Sequence, residues 1–123
     1  MYVGLPEWLG RVSPVLDVAG TLVAAEVDCG VVRDRRALRF VGEDVCARAQ
    51  FVADQGIEVL ICCALSWPLE RMLRHAGVQV VPHICGEIGL VLEAYACGRL
   101  EQSAFIMPGC CGNRRAWMQK ENG

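Results

Sequence analysis

The sequence predicts an α/β domain, a mixed sheet with helices packed on it, in the order β-β-β-α-β-α-β-α and followed by a cysteine-containing tail. Three observations carry that reading. A strand pair with turn chemistry between its arms occupies residues 21–40. After Asp44 the apolar period changes from that of strands to that of helices. Gly56, Gly77 and Gly98 then stop three helical stretches at equal spacing. Because the residues around these glycines do not repeat, they mark consecutive strand–helix units and not a solenoid.

Each element has a local reason. Residues 1–5 (MYVGL) read as a short strand, and PEWLGRVSP, with Pro6, Gly10 and Pro14, as a loop. TLVAAEV (21–27) is a second strand, Asp28-Cys29-Gly30 supplies the turn, and VVRDRRALRF is the return arm. The arginines of that arm suit an exposed edge strand. Asp44 caps a helix whose apolar face is Val45, Ala49, Val52 and Ala53. IEVLICC (57–63) is a continuous apolar run of strand length, as a strand covered on both faces requires. Ser66 caps the next helix, with Pro68 in its first turn and Leu69, Met72, Leu73 and Ala76 facing the core. VQVVP (78–82) is another buried strand. Gly86 opens the third helix, which presents Ile88, Val91, Leu92 and Tyr95.

At 123 residues the chain has the size of one domain, read as residues 1–103, with 104–123 as the tail. The hydrophobic fraction of 54% is high, yet no apolar run reaches the roughly 20 residues of a membrane span. MYVGLPEWLGR lacks the basic start and apolar stretch of a secretion signal, so the expected compartment is the cytoplasm. A net charge of −2 argues against general nucleic-acid binding. In a reducing compartment, eight cysteines that occur singly or as adjacent pairs read as free thiols, core residues or metal ligands.

In open α/β sheets, ligands bind beyond the carboxyl ends of the parallel strands. If 1–5, 57–63 and 78–82 are parallel neighbours, their ends deliver three loops to one edge. The first carries Trp8, Arg11 and Ser13, the second Cys62, Cys63 and Ser66, the third His83 and Cys85. Helices starting near Ser66 and Gly86 would aim free N–H groups at the same place, which favours an anion. Thiols and an imidazole there point to soft-metal chemistry, and Cys110 and Cys111 of the tail could add ligands. Neighbouring strand residues face opposite ways, so only one of Cys62 and Cys63 can serve a given ligand. Cys46 and Cys97 lie within helices and read as packing residues. Cys29 sits in a turn at the wrong end of the sheet. No paired CxxC motif is present, which disfavours a structural zinc finger.

Four stretches together resemble the dinitrogenase iron–molybdenum cofactor biosynthesis family, the NifX and NifB C-terminal type of domain. They are GRVSPVLDVA (10–19), GIEVLICCALSWPLERML (56–73), GEIGLVLEAYACGRL (86–100) and the closing MPGC. The resemblance covers nearly the whole chain in order. It implies a ribonuclease-H-like mixed sheet and a carrier or scaffold for iron–sulfur or molybdenum-containing clusters, without catalysis. The orange proteins of sulfate reducers, which hold a molybdenum–copper sulfide cluster, are similar domains. Two departures stand out: Cys62-Cys63-Ala64 replaces a small Gly-Gly stretch, and His83-Ile84-Cys85-Gly86 adds a thiol before the third helix. Nuclease action needs several acidic metal ligands at the sheet edge, and only Asp17 lies near the first loop.

The expected function is therefore a cluster carrier or assembly protein, with a cluster-donating or cluster-accepting protein as partner and a monomer or weak homodimer as its state. Arg11, Ser13, Cys63, Ser66, His83, Cys85 and Gly86 would surround the cluster. Metal ligands would come from Cys62, Cys63, His83, Cys85, Cys110 and Cys111. A zinc- or iron-stabilised interaction domain and a thiol redox sensor are the alternatives.

Overall fold

The computed structural model describes residues 1–98. Six strands and three helices follow one another as β1 (Tyr2–Trp8), β2 (Arg11–Val12), β3 (Thr21–Asp28), β4 (Val31–Arg39), α1 (Val45–Asp54), β5 (Val59–Ile61), α2 (Trp67–His75), β6 (Gln79–Val81) and α3 (Ile88–Ala96). A short 3-10 turn, Leu16–Val18, lies between β2 and β3. The sheet order is β4-β3-β1-β5-β6, with β2 paired to β1. β1 runs parallel to β5 and β5 to β6, whereas β3 and β4 are antiparallel to their neighbours. The sheet is thus mixed and open, as expected, and 1–5, 57–63 and 78–82 do contain its parallel neighbours.

Two helices cover one face of the sheet and the third covers the other, so the core has two parts. Strand alternation decides which residue goes where. Val3, Leu5, Val23, Ala25, Val59 and Ile61 meet Ile88, Val91 and Leu92 of α3. Leu22, Ala24 and Leu60 meet Ala49 and Val52 of α1 and Leu69 and Leu73 of α2. Gly4 faces the second group, where a Cβ would stand 3.2 Å from Ile57.

The N-terminal segment departs from the loop expected over PEWLGRVSP. β1 continues through Pro6 to Trp8, and a two-residue turn at Leu9 and Gly10 returns the chain as β2. Both turn residues are left-handed, with φ of 52° and 81°, as a two-residue hairpin requires. Pro6 is tolerated because its missing donor faces the end of the short β1–β2 ladder, the side on which its carbonyl accepts the Ser13 N–H at 2.8 Å.

The helix signals were accurate. Asp44 accepts the Ala47 N–H at 2.7 Å and Ser66 accepts that of Leu69 at 3.4 Å. Gly56, Gly77 and Gly98 all have positive φ just beyond helix ends. Three details differ. The helix expected to open at Gly86 has Glu87 as its N-cap residue. Of the face expected on α2, Leu69 and Leu73 are buried while Met72 and Ala76 are exposed, because α1 reaches only part of that face. The two buried strands are shorter than expected at both ends, and at their carboxyl ends Cys62, Cys63 and Pro82 already belong to the site loops.

β4 is an edge strand whose Arg33, Arg35, Arg36 and Arg39 are held at the rim, the charge pattern that discourages pairing with another chain. Among the described residues no helix is long and apolar enough to cross a membrane.

Removing the α1 cap should be separable from any effect on the loops. Asp44→Ala is expected to cost about 1 kcal/mol. A urea titration should show a lower midpoint with an unchanged slope, because only one helix end is loosened.

Candidate functional site

The three loops converge, and the first one is tied to the other two. From Gly10 to Asp17 the chain lies as a strap across the carboxyl ends of β5 and β6. Next to the third loop, the Val12 N–H donates to the Gly86 carbonyl at 2.9 Å and the Ile88 N–H donates to Gly10 at 3.0 Å. At the second loop, the Ala64 N–H donates to Pro14 at 3.0 Å and the Leu16 N–H to Ala64 at 2.8 Å. The second and third loops are joined directly as well: His83 N–H donates to Cys63 at 2.8 Å and Ile84 N–H to Cys62 at 3.0 Å.

Asp17 closes the strap. Its carboxylate accepts the Ser66 backbone N–H at 2.7 Å and the Ser66 hydroxyl at 2.5 Å. This changes the electrostatics expected of the α2 N-terminus. There the Ser66 N–H goes to Asp17 and the Leu69 N–H to the Ser66 hydroxyl, so a carboxylate of the chain itself already occupies the positive end of the helix. The first N–H of α3, that of Ile88, is likewise used by the strap. The expectation of free donors at two helix ends is therefore narrowed: the strap takes the N–H groups of Ser66 and Ile88, because a loop crossing a buried sheet edge must satisfy its own backbone.

Each expected residue can now be located. Arg11 is exposed on β2 and forms a bridge through its backbone with Glu87, beside Gly86. Val12 is in the core. Ser13 is buried, and its hydroxyl donates to the Val15 carbonyl at 3.4 Å, so it shapes the strap from within. Cys62 and Cys63 point to opposite faces: Cys62 lies among the α1 and α2 contacts and Cys63 among those of α3. His83, with φ of 67°, and Cys85 are half-buried on the third loop, and Cys85 packs against the α3 side of the core. Gly86, with φ of 131°, has a conformation that other residues avoid. The structure thus brings Arg11, Cys63, His83, Cys85 and Gly86 to one edge on the strap and its partners. Cys110 and Cys111 lie outside the described residues. Among the described residues, no three of His, Cys, Asp and Glu form a group that could hold a metal ion.

Two contributors were not singled out from sequence. Asp17 was weighed only as a nuclease ligand, although it anchors Ser66. Arg48 of α1 donates to the carbonyls of Leu16 at 3.1 Å and Ala19 at 2.8 Å, holding the far end of the strap, and its guanidinium lies 4.8 Å from the centre of the Phe40 ring. A short polar side chain two residues past a proline-bounded turn was the one available signal for Asp17. Nothing local marked Arg48, whose partners lie about thirty residues away. Cys29 and Cys97 are exposed, at the β3–β4 turn and at the end of α3.

Burial pushes the Cys62 thiol up to about 12, with the neighbouring Cys63 adding to the rise. Below pH 9 the thiol is protonated whether the chain is folded or not. Above it, the unfolded chain releases the proton and the folded chain keeps it, so stability falls with rising pH from 9 towards 12. The slope contributed is at most about 1.4 kcal/mol per pH unit. Urea midpoints measured from pH 8 to 11 should show this component in the wild type and lose it in Cys62→Ala. For the strap, Asp17→Ala is expected to lower stability by about 1.5–3 kcal/mol, the range for hydrogen bonds to a charged group. Faster proteolysis within residues 10–20 should accompany that loss.

Solved structures share this fold. The protein PH0822 superposes with a TM-score of 0.77 at 19% identity, over 81% of this chain and 92% of that one. The apo form of the orange protein from Desulfovibrio gigas superposes with a TM-score of 0.67 at 17% identity, over 85% and 94% of the two chains. A Methanocaldococcus jannaschii protein described as a "putative dinitrogenase" gives a TM-score of 0.67 at 11% identity, over 81% and 91%. Comparison of the sequence with models of known families and with curated proteins gives no match. The chain therefore has, over nearly all its described residues, the α/β fold of the orange protein and of these two other proteins.

Proposed function

We propose that this chain is a non-catalytic carrier or assembly protein for anionic metal–sulfur clusters, of the dinitrogenase iron–molybdenum cofactor biosynthesis type, with a ribonuclease-H-like sheet. The observation that carries the reading is the strap. It is hydrogen-bonded to both strand-end loops, so that an exposed guanidinium, that of Arg11, shares one edge with the soft donors of Cys63, His83 and Cys85. Thiolates and imidazole select iron, copper and related metals, and a guanidinium offsets the negative charge of a sulfide-rich cluster. The likeness in fold to the orange protein and the matching GRVSP and MPGC segments support the same class.

In this reading the cluster is cargo, of the iron–sulfur or molybdenum-containing kind. Cys85 is the principal described ligand, Cys63 and His83 assist, and Cys110 and Cys111 complete the set. Cys62, buried on the α1 and α2 side, serves the core. A cluster-donating or cluster-accepting protein is the partner, and the chain works in the cytoplasm. Edge residues that bind cargo without transforming it need neither an acid–base pair nor a nucleophile.

Anaerobic purification with visible spectroscopy and elemental analysis for iron, molybdenum, copper and zinc tests the reading. A coloured protein containing iron or molybdenum supports it. A colourless zinc protein would instead favour a metal-stabilised interaction domain. Cys85→Ser should lower metal content sharply, whereas Cys29→Ser and Cys97→Ser should leave it nearly unchanged. Arg11→Ala should weaken cluster binding by about ten- to a hundred-fold, the equivalent of a charge-assisted hydrogen bond of about 1.5–3 kcal/mol. The melting temperature of the cargo-free protein should barely move. Arg11→Lys should recover part of the loss, and equal affinities in Arg11→Ala and wild type would make GRVSP a purely structural turn.

A further inference from the structure

The groove between α1 and α2 holds a second set of soft donors. None of the residues lining it belongs to the strap or to the loops it ties. Its volume is about 450 Å³, and Cys46 and Gln50 of α1 face Met72 and His75 of α2 across it. Cys46 and Met72 meet directly, with Sγ and Sδ 3.4 Å apart. Cys46 is exposed, and Met72 is 37% exposed although the helical period of α2 would place it with the buried Leu69 and Leu73. His75 follows Met72 by three residues, which puts both on one side of the helix.

We propose that Cys46, Met72 and His75 form a binding site for a soft monovalent cation, Cu(I). A thiolate, a thioether and an imidazole are the donors such an ion prefers, whereas hard cations select carboxylates and carbonyls. No carboxylate lines the groove. The other polar groups there are engaged. Gln50 Nε2 donates to Asp54 at 2.7 Å, and the Arg71 guanidinium is stacked 5.0 Å from the centre of the Trp67 ring. Binding releases the Cys46 proton to solvent, and the thiolate and the monovalent ion together are neutral. Such a site suits a half-open groove, since no net charge has to be buried.

The experiment uses the full chain, kept anaerobic, with Cu(I) buffered by bicinchoninate. Free thiols are then alkylated with N-ethylmaleimide and each cysteine is read separately by peptide mass spectrometry. Cys46 should become protected at lower free Cu(I) than the exposed Cys29 and Cys97. Met72→Leu, a swap that nearly conserves volume, should raise the Cu(I) needed for half-protection of Cys46 about tenfold, equivalent to 1.4 kcal/mol. The Cys29 and Cys97 curves should not move. His75→Ala should shift the Cys46 curve in the same direction, and matching circular-dichroism melts of the variants confirm that they fold. Cys46 titrating together with Cys29 and Cys97, or a Cys46 curve unmoved by Met72→Leu, overturns the site. Equal protection of Cys46 by Zn(II) overturns the choice of a soft monovalent ion. Because Cys85 is read separately, the result does not depend on the strand-end cluster.

Discussion

The hydrogen bonds made by residues 10–17 are the constraint on which the rest of the edge depends. Two bonds run between Gly10 or Val12 and the start of α3, two between Pro14 or Leu16 and Ala64, and two from Ser66 to Asp17. Beside them, the loops after β5 and β6 are joined by the bonds from His83 and Ile84 to Cys63 and Cys62. With them, the ends of three parallel strands become one surface. A strap of this kind must meet the backbone demands of every segment it covers, so it uses donors that an open helix end would offer to a ligand. In the proposed function the edge would rely on side chains, Arg11 and the sulfur and imidazole donors, more than on helix ends to hold its cargo.

The second constraint is the pleat of β5 and its extension. Consecutive side chains must face opposite ways, so the adjacent thiols of Cys62 and Cys63 enter different halves of the core. Their chemistry then separates. Cys62, within the α1 and α2 half, is kept protonated by burial, whereas Cys63 lies beside the loop of His83 and Cys85. Two identical neighbours in sequence thus have different environments because they differ by one step in a period-two structure. The same rule turns Gly4 towards Ile57, where a Cβ would stand at a tight 3.2 Å.

Much of this was legible in the sequence where the signal is local. Asp44 and Ser66 carry side chains that can reach the N–H groups three residues on, and Gly56, Gly77 and Gly98 can take the left-handed turn that ends a helix. The parallel strands were visible as apolar runs bounded by such stops. The β1–β2 hairpin was not, because Leu9-Gly10 has one non-glycine residue in the left-handed region and Pro6 argues against a continuing strand. Met72 and Ala76 fitted the apolar period of α2, yet their exposure depends on how far α1 overlaps it, which no local pattern records.

By itself, then, the sequence determined the order of elements apart from β2, the caps of α1 and α2, the glycine stops of all three helices, and the loops that carry soft donors. Period and capping are properties of a few neighbouring residues, so they survive in any context. Only the tertiary structure decided that Asp17 would reach Ser66, that Arg48 would hold the carbonyls of Leu16 and Ala19, and that Cys46 would meet Met72. Each of these pairs joins residues 26 to 49 positions apart. Their meeting is set by how the strap and helices pack on a finished sheet, which is a property of the whole fold and of no single segment.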